Sequence, residues 1–194
     1  LESAIFDEGW QEHLRIDYGD LQWQDTGERL TEETFRSYRE QGGTVIIHMM
    51  KPDWIEMGVK APHTMVASDG MPYALGAHPR GAGTFSRFLG RYVREEGTLS
   101  LMDGLRKMTL MPAQRLESIS SQMTRKGRIQ VGSDADITIF DPSRIIDTAT
   151  FEDDLSYSIG VEYVLVNGSF VVREGENVEG ARPGVPIVGR RIVF

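Results

Sequence analysis

The sequence predicts an α/β segment followed by a β-rich segment, and three observations lead to this fold class. Two apolar runs, at 44–50 and 64–68, have the composition of buried strands and are separated by a short helical stretch. Amphipathic patterns with apolar residues at intervals of three and four then occupy much of 85–117. From Gly127 onward the pattern changes to short β runs punctuated by turns.

The composition is that of a globular protein with a real core. The chain has 194 residues, of which 40% are hydrophobic and 26% are charged. Its net charge of -8 and the lack of a basic run argue against nucleic acid as the main partner. No apolar run approaches the roughly 18 to 20 residues that cross a bilayer, and no leader-like start is present, so we predict no membrane partner and a cytoplasmic location. The absence of cysteine excludes disulfides and thiolate catalysis in this chain.

An irregular stretch and then one helix are predicted at the start of the chain. The sequence opens on Leu1 within an amphipathic pattern, so we expect a piece of a longer polypeptide. Residues 1–30 are rich in Trp, Asp and Gly, which favours a loop or an insertion. Thr31 can cap a helix over 31–41, with acidic residues in the first turn, and Gly42 ends it.

A strand, a short helix and a second strand follow. The run TVIIHMM at 44–50 is β-branched and almost wholly apolar, and Lys51-Pro52 ends it. Asp53 can cap one helical turn before the second strand at 64–68. We expect the two strands to pair in parallel through a right-handed crossover, as in a βαβ unit.

Helices and then a β-rich module are predicted beyond these strands. Apolar residues over 85–93 recur with helical spacing, which predicts an amphipathic helix packed on the core and ended by Gly97. Ser100 starts a second helix, and Pro112 is well placed to open a third. After them, Asn167-Gly168 lies between two β runs and predicts a hairpin with a type I′ turn. The acidic cluster Glu152, Asp153 and Asp154 predicts a solvated turn.

Asp69 is the first candidate for chemistry. It would lie where the strand at 64–68 becomes a loop, since Gly70 and Pro72 break the strand. Catalytic carboxylates commonly occupy this position in (β/α)₈ barrels. From the local pattern alone, an Asp that caps the loop after its strand is the competing interpretation.

Six motifs carry a resemblance to a known family. They are ASDG at 67–70, HPRG at 78–81, FLGRYVREEGTLSL at 88–101, KMTLMPAQRL at 107–116, KGRIQVGSDADITIFDP at 126–142 and VEYVLVNGSFVVREGE at 161–176. Together they resemble the C-terminal part of the amidohydrolase superfamily, and most closely the D-aminoacylase, or N-acyl-D-amino-acid deacylase, family. The last two motifs alone indicate only the β module of the superfamily, whereas ASDG followed by HPRG is typical of the deacylases.

The resemblance implies a metal-dependent (β/α)₈ barrel joined to a small β-sandwich. A barrel usually takes about 250 residues, so this chain would supply about the last two strands and their helices. On this basis residues 1–126 are expected to be the C-terminal part of the catalytic barrel, and residues 127–194 most of the β-sandwich module.

The resemblance also implies a function, which is zinc-dependent hydrolysis of the amide bond of an N-acyl-D-amino acid. The enzyme would be a hydrolase of linear, non-peptide C–N bonds. Asp69 would take the proton of a zinc-bound water and pass it to the departing amine, and it is a possible metal ligand. The four histidines, at 13, 48, 63 and 78, contain no His-x-His pair, so the other ligands are expected to precede this chain. We therefore expect the isolated piece to be inactive.

Further site residues follow from the resemblance. Arg80 resembles a clamp for the α-carboxylate of the substrate, His48 matches a histidine that lines the active site, and Met50 beside it would line the acyl or side-chain pocket. His78, Gly70 and Gly81 would order the loop. The plainer interpretations are a surface arginine, a histidine at a strand end and a core methionine.

Two other functions stay open at this point. One is an amidohydrolase that acts on a cyclic amide or imide such as a hydantoin, for which Arg80 need not meet a free carboxylate. The other is a non-catalytic β-rich module for binding or oligomerisation. Bare barrel strands expose edges and apolar faces, so we expect self-association of a truncated piece.

Overall fold

The computed structural model describes residues 1–70 and 78–189. Its α-helices are α1 (Trp10–Leu14), α2 (Glu32–Gln41), α3 (Pro52–Lys60), α4 (Arg80–Arg87), α5 (Leu101–Met108) and α6 (Leu110–Leu116). Its strands are β1 (Leu21–Trp23), β2 (Val45–Ile47), β3 (Ile137–Phe140), β4 (Val161–Val166), β5 (Ser169–Arg173) and β6 (Glu176–Asn177). A π-helical segment, Phe88–Glu95, continues α4, and 3₁₀ turns lie at Ala4–Phe6, Tyr18–Asp20 and Ser121–Arg125.

The strands form two antiparallel sheets. A small sheet pairs β1 with β2, and a four-stranded sheet has the order β3-β4-β5-β6. The hairpin between β4 and β5 turns at Asn167 and Gly168, whose φ values of 48° and 76° confirm the predicted turn. The predicted mixture of helices and strands is therefore confirmed, while the described residues close no barrel.

The predicted βαβ unit is wrong for the described residues. The first strand is limited to β2, which pairs antiparallel with β1. Residues 64–68 form no strand, and the backbone N–H of Val66 donates instead to the carbonyl of Lys107 at 3.2 Å, at the end of α5. A parallel strand needs a neighbour on at least one side, and no described strand lies beside this segment.

Two predicted helix caps are confirmed. The Thr31 hydroxyl accepts a hydrogen bond from the backbone N–H of Thr34 at 3.2 Å and starts α2. The Ser100 hydroxyl accepts from the backbone N–H of Asp103 at 3.1 Å and starts α5. Each bond satisfies a donor that the first turn of a helix leaves unpaired.

Other helix boundaries differ from the prediction. Asp53 does not cap a single turn, because Pro52 occupies the first helical position of α3, which runs for nine residues. Helix α6 starts at Leu110, two residues before the proline that was expected to open it. The amphipathic helix predicted at 85–93 begins earlier, with α4, and widens into the π-helical segment.

Residues 1–47 fold around an aromatic core, so the prediction of a loop or an insertion for residues 1–30 is wrong. We call this core the N-terminal cluster; its buried members are Leu1, Phe6, Trp10, Leu21, Trp23, Leu30 and Phe35. The Trp23 ring stacks on Tyr38 with 4.1 Å between centroids. Gly43 leaves room for the indole, because a Cβ there would lie 2.4 Å from it. Burial of these large rings stabilises β1 and β2, although both strands are short.

The segment that follows β3 packs against α4 and the π-helical segment. A Cβ at Gly90 would lie 2.4 Å from the carbonyl oxygen of Ile145, and one at Gly83 would lie 2.7 Å from Cβ of Asp147. Arg87 forms an ion pair with the Asp147 carboxylate at 3.1 Å. The predicted division into 1–126 and 127–194 stays a prediction. No helix among the described residues has the length and apolar character needed to span a bilayer.

Candidate active site

An extended segment leads from α3 to Asp69 and is anchored from α5. The ammonium of Lys107, a residue only 5% exposed, donates to the carbonyl of Ala61, to the carbonyl of Thr64 at 3.1 Å and to the Thr64 hydroxyl at 3.0 Å. The carbonyl of the same lysine accepts the hydrogen bond from Val66. Both the side chain and the backbone of Lys107 therefore position the approach to Asp69.

Asp69 and Arg80 form a paired unit. Arg80 Nη2 lies 2.8 Å from Asp69 Oδ2, and Arg80 Nε donates to the Asp69 carbonyl at 3.0 Å. Asp69 has a φ of 47°, a left-handed conformation that aspartate tolerates better than most residues. The Asp69 side chain is 83% exposed, so the described residues alone do not enclose it.

Gly70 and Gly81, which flank the stretch between Asp69 and α4, lie in backbone contact. A Cβ at Gly70 would lie 2.7 Å from Cα of Gly81, closer than a side chain tolerates. The glycines predicted to order the loop therefore meet each other. Pro72, which was expected to break the preceding strand, lies outside the described residues.

His78 lies next to this unit and is joined to the start of α4. Its Nδ1 accepts a hydrogen bond from the backbone N–H of Arg80 at 3.1 Å, so a neutral His78 carries its proton on Nε2. Partial burial lowers the pKa of His78, the positive charges of Arg80 and His48 lower it further, and Asp69 opposes them.

His48 lies at the end of β2. Its Nε2 is 2.8 Å from Oε1 of Gln22, whose amide nitrogen donates to the Gly27 carbonyl at 3.0 Å, so His48 Nε2 is the donor. Burial is the main cause of a lowered pKa for His48, with Arg29 adding to the effect and Asp20 opposing it. Both histidines therefore favour the neutral state more than a solvated imidazole does.

Phe151 links the two histidines. Its ring lies edge-to-face against His48, with 5.4 Å between centroids, and against His78, with 4.8 Å. The prediction of a solvated acidic turn at 152–154 is wrong for Asp154, which is 7% exposed. Glu152 and Asp153 are exposed, as predicted, and no local sequence signal indicated the contacts of Phe151.

Two further predicted features, the pocket role of Met50 and the zinc site, are not formed by the described residues. Met50 is 59% exposed and has no described role in the Asp69–Arg80 unit. Within residues 1–70 and 78–189, no three His, Asp or Glu side chains converge in the way a metal ion requires. The described residues do not form a zinc site by themselves.

The lowered pKa values predict that acid destabilises the fold. The unfolded chain binds protons near the ordinary histidine pKa of 6.5, where folded His48 and His78 bind fewer. The free energy of unfolding should therefore be highest above pH 6.5 and fall as the pH drops through the lowered values. Urea denaturation at several pH values between about 5 and 7.5 would measure this.

Matched histidine variants identify the groups responsible. The double variant His48→Gln/His78→Gln should flatten this part of the profile, and the exposed pair His13→Gln/His63→Gln is the matched control for the loss of two histidines. A profile that keeps its full slope in the first double variant would contradict the assignment.

The sequence matches the Amidohydrolase family over residues 52–172. It is 37% identical over 135 residues to a D-aminoacylase of Alcaligenes xylosoxydans xylosoxydans, an alignment that covers 70% of this chain and 27% of that protein. It is 44% identical over 107 residues to an N-acyl-D-glutamate deacylase of the same organism, covering 55% of this chain and 21% of the relative. The chain thus spans about a quarter of the length of these curated relatives.

Solved structures agree with the sequence matches. An N-acyl-D-glutamate deacylase from Bordetella bronchiseptica, in complex with zinc and a phosphonate mimic of the tetrahedral intermediate, is similar with a TM-score of 0.67 and 31% identity, over 79% of this chain and 35% of that one. A D-aminoacylase that defines a novel subset of amidohydrolases is similar with a TM-score of 0.72 and 29% identity, over 87% of this chain and 37% of that one. With the family match extending over more than half of its residues, the chain belongs to the amidohydrolase family.

Proposed function

We propose that the whole protein hydrolyses the amide bond of N-acyl-D-amino acids, with Asp69 as the proton-transfer group and Arg80 as the group that binds the substrate carboxylate. The pairing of these two side chains, 2.8 Å apart at the end of an anchored segment, is the observation that carries the proposal. The similarity to D-aminoacylase and to N-acyl-D-glutamate deacylase supports the substrate class.

Asp69 has the chemistry that amide hydrolysis needs. As a carboxylate it accepts a proton from the attacking water while the water oxygen bonds to the acyl carbon. As a carboxylic acid it then returns that proton to the nitrogen as the C–N bond breaks. The products are a carboxylate and a free amino acid. Arg80 engages Oδ2, so Oδ1 is the oxygen that would carry the proton.

Arg80 has N–H donors available for a substrate carboxylate. Its Nε and Nη2 contact Asp69, while Nη1 has no partner among the residues that the structure describes. A planar guanidinium binds a carboxylate through two parallel N–H groups, and its Nη1 and Nη2 form such an edge. The same arginine could then hold the substrate beside the group that transfers the proton.

Zinc belongs to the proposal for the whole protein. The zinc in the similar N-acyl-D-glutamate deacylase supports this. A bound zinc ion lowers the pKa of water and so supplies the nucleophile at neutral pH. In the part of the chain that the structure describes, Asp69 would lie beside such a site as the proton acceptor and could at most add one ligand, so the groups that retain the zinc would come from other residues.

Substitution of the two residues in the whole protein tests the proposal. Asp69→Asn keeps the size of the side chain but cannot accept the proton, so kcat should fall by about 100- to 10,000-fold with zinc content nearly intact. Arg80→Ala should mainly raise KM for N-acyl-D-amino acids, by about tenfold or more, because it removes charge-assisted hydrogen bonds. Steady-state kinetics and metal analysis provide both measurements.

An exposed arginine on a neighbouring helix serves as the control. Arg106→Ala should leave kcat and KM close to their original values, since Arg106 lies on the surface of α5. Wild-type turnover in Asp69→Asn would refute the proposed function, and an unchanged KM in Arg80→Ala would refute the carboxylate clamp.

A further inference from the structure

We propose that Phe151 is a positioning residue that orients the imidazoles of His48 and His78 beside the Asp69–Arg80 unit. The inference rests on the proposed function, because it assigns these histidines to the active site. It concerns a turn between β3 and β4, whose phenyl ring contacts both histidines.

The contacts of Phe151 are specific to these two rings. The interplanar angle is 66° with His48 and 75° with His78, so the phenyl ring meets both imidazoles edge-to-face. Among the described aromatic pairs, neither histidine contacts any other ring. This geometry depends on the orientation of the rings as well as on burial, so it can set the plane of each imidazole.

Each histidine has one ring nitrogen engaged and one available. His48 uses Nε2 to contact Gln22, and His78 uses Nδ1 to accept from the Arg80 backbone. Nδ1 of His48 and Nε2 of His78 have no hydrogen-bond partner among the described residues. One hydrogen bond restrains the orientation of an imidazole only in part, and the edge-to-face contact adds a second restraint on the plane of the ring. Phe151 therefore determines where the two available nitrogens point.

Hydrogen bonds hold the turn that carries Phe151. The Thr150 hydroxyl accepts from the backbone N–H groups of Glu152 at 3.2 Å and Asp153 at 3.0 Å. The backbone N–H of Thr150 donates to the Asp153 carbonyl at 2.9 Å, and Ser156 donates to the Asp153 carboxylate at 2.5 Å. A turn with this many internal bonds presents Phe151 in one conformation.

The base of the turn is attached to the helix that begins with Arg80. Asp147, three residues before the turn, pairs with Arg87 and packs on Gly83 of α4. Arg80 is the first residue of that helix, and its backbone N–H binds His78. The helix thus joins the Phe151 turn and the Asp69–Arg80 unit in one assembly, and motion of the turn relative to the histidines is restricted.

Nuclear magnetic resonance of the imidazole protons of this chain tests the contact. Phe151→Leu and Phe151→Met keep an apolar side chain but remove the ring current, so the signals of His48 and His78 should shift. Phe151→Tyr keeps the ring and should leave them near their original positions. The exposed His13 and His63 should not move in any variant. Unchanged His48 and His78 signals in Phe151→Leu and Phe151→Met would overturn the contact.

Kinetics of the whole protein test the positioning role. Phe151→Leu should lower kcat/KM for an N-acyl-D-amino acid by about tenfold, and Phe151→Tyr should keep it near the original value, because a small misplacement of groups beside the reacting atoms costs rate. Shifted histidine signals with unchanged kinetics would overturn the role while Asp69→Asn still inactivates the enzyme. Wild-type turnover in Asp69→Asn would instead refute the proposed function and leave the spectroscopic result standing, so the two failures are distinguishable.

Discussion

Replacing Leu21 by alanine is expected to lower the free energy of unfolding by about 2 to 5 kcal/mol. Leu21 is 0% exposed and lies in β1 within the N-terminal cluster of Trp, Phe and Leu side chains. Removing three carbon atoms there loses their transfer free energy and leaves a cavity that rigid aromatic neighbours cannot fill. Urea denaturation followed by tryptophan fluorescence measures the loss directly, since Trp10 and Trp23 lie in the same cluster.

The effect of this substitution should reach the candidate site. Leu21 pairs with Ile47 in β2, and the backbone N–H of His48 donates to Asp20 at 2.9 Å. The cavity left by Leu21→Ala should therefore also increase the mobility of His48. Leu155→Ala is the matched control, because Leu155 is exposed, and it should change stability by no more than about 0.5 kcal/mol. Equal losses in the two variants would contradict the structure of the N-terminal cluster.

Replacing Lys107 by methionine should lower the free energy of unfolding by about 2 to 3 kcal/mol. The buried ammonium donates to two carbonyls and one hydroxyl on the segment that leads to Asp69. Methionine retains most of the side-chain volume but leaves these oxygens without their charged donor. Removal of a buried charge also ends its desolvation cost, which limits the net loss. The amide of Val66, bonded to the Lys107 carbonyl, should exchange with deuterium faster in the variant.

The control for Lys107 is the residue before it. Arg106 is exposed on the same helix, so Arg106→Met removes a positive charge without breaking a described buried hydrogen bond. Its stability and the exchange rate of Val66 should stay near the original values. A Lys107→Met variant as stable as Arg106→Met, with unchanged exchange at Val66, would show that the anchor contributes nothing.

Local signals in the sequence were sufficient for much of the secondary structure. Thr31 and Ser100 cap helices because a hydroxyl before an amphipathic run meets the unpaired N–H groups of the first turn. Asn167-Gly168 makes a hairpin because both residues tolerate a positive φ. In each case the determining contact lies within three or four residues.

Features that depend on distant partners were not predictable in this way. The segment 64–68 has the composition of a buried strand, but a strand forms only with a neighbour, and the bond at Val66 goes to a helix end instead. Residues 1–30 look irregular because their order comes from aromatic packing across the cluster, which has no sequence period. Helix α4 continues into a π-helical segment, at whose end the backbone N–H of Glu96 donates to the Arg91 carbonyl at 2.8 Å. The spacing of the apolar residues did not predict this change of helix type.

In the candidate site, too, residues in local motifs were predictable and a residue that acts through distant contacts was not. The motifs around Asp69 and Arg80 could be found from the sequence, and the structure brings these two residues together. Phe151 could not be found, because its partners are about 70 and 100 residues away along the chain. A motif search identifies groups that act within one loop, whereas a side chain that acts through tertiary contact is visible only in the folded chain.

The close approach of Gly70 to Gly81 bears on how sequence changes between these two glycines affect the candidate site. Because Gly70 and Gly81 approach each other at backbone distance, changes of sequence or length at 71–77 need not displace Asp69 or Arg80, since the entropy of loop closure grows only slowly with length. The positions 71–77 can therefore accept sequence change at little cost to the geometry of Asp69 and Arg80.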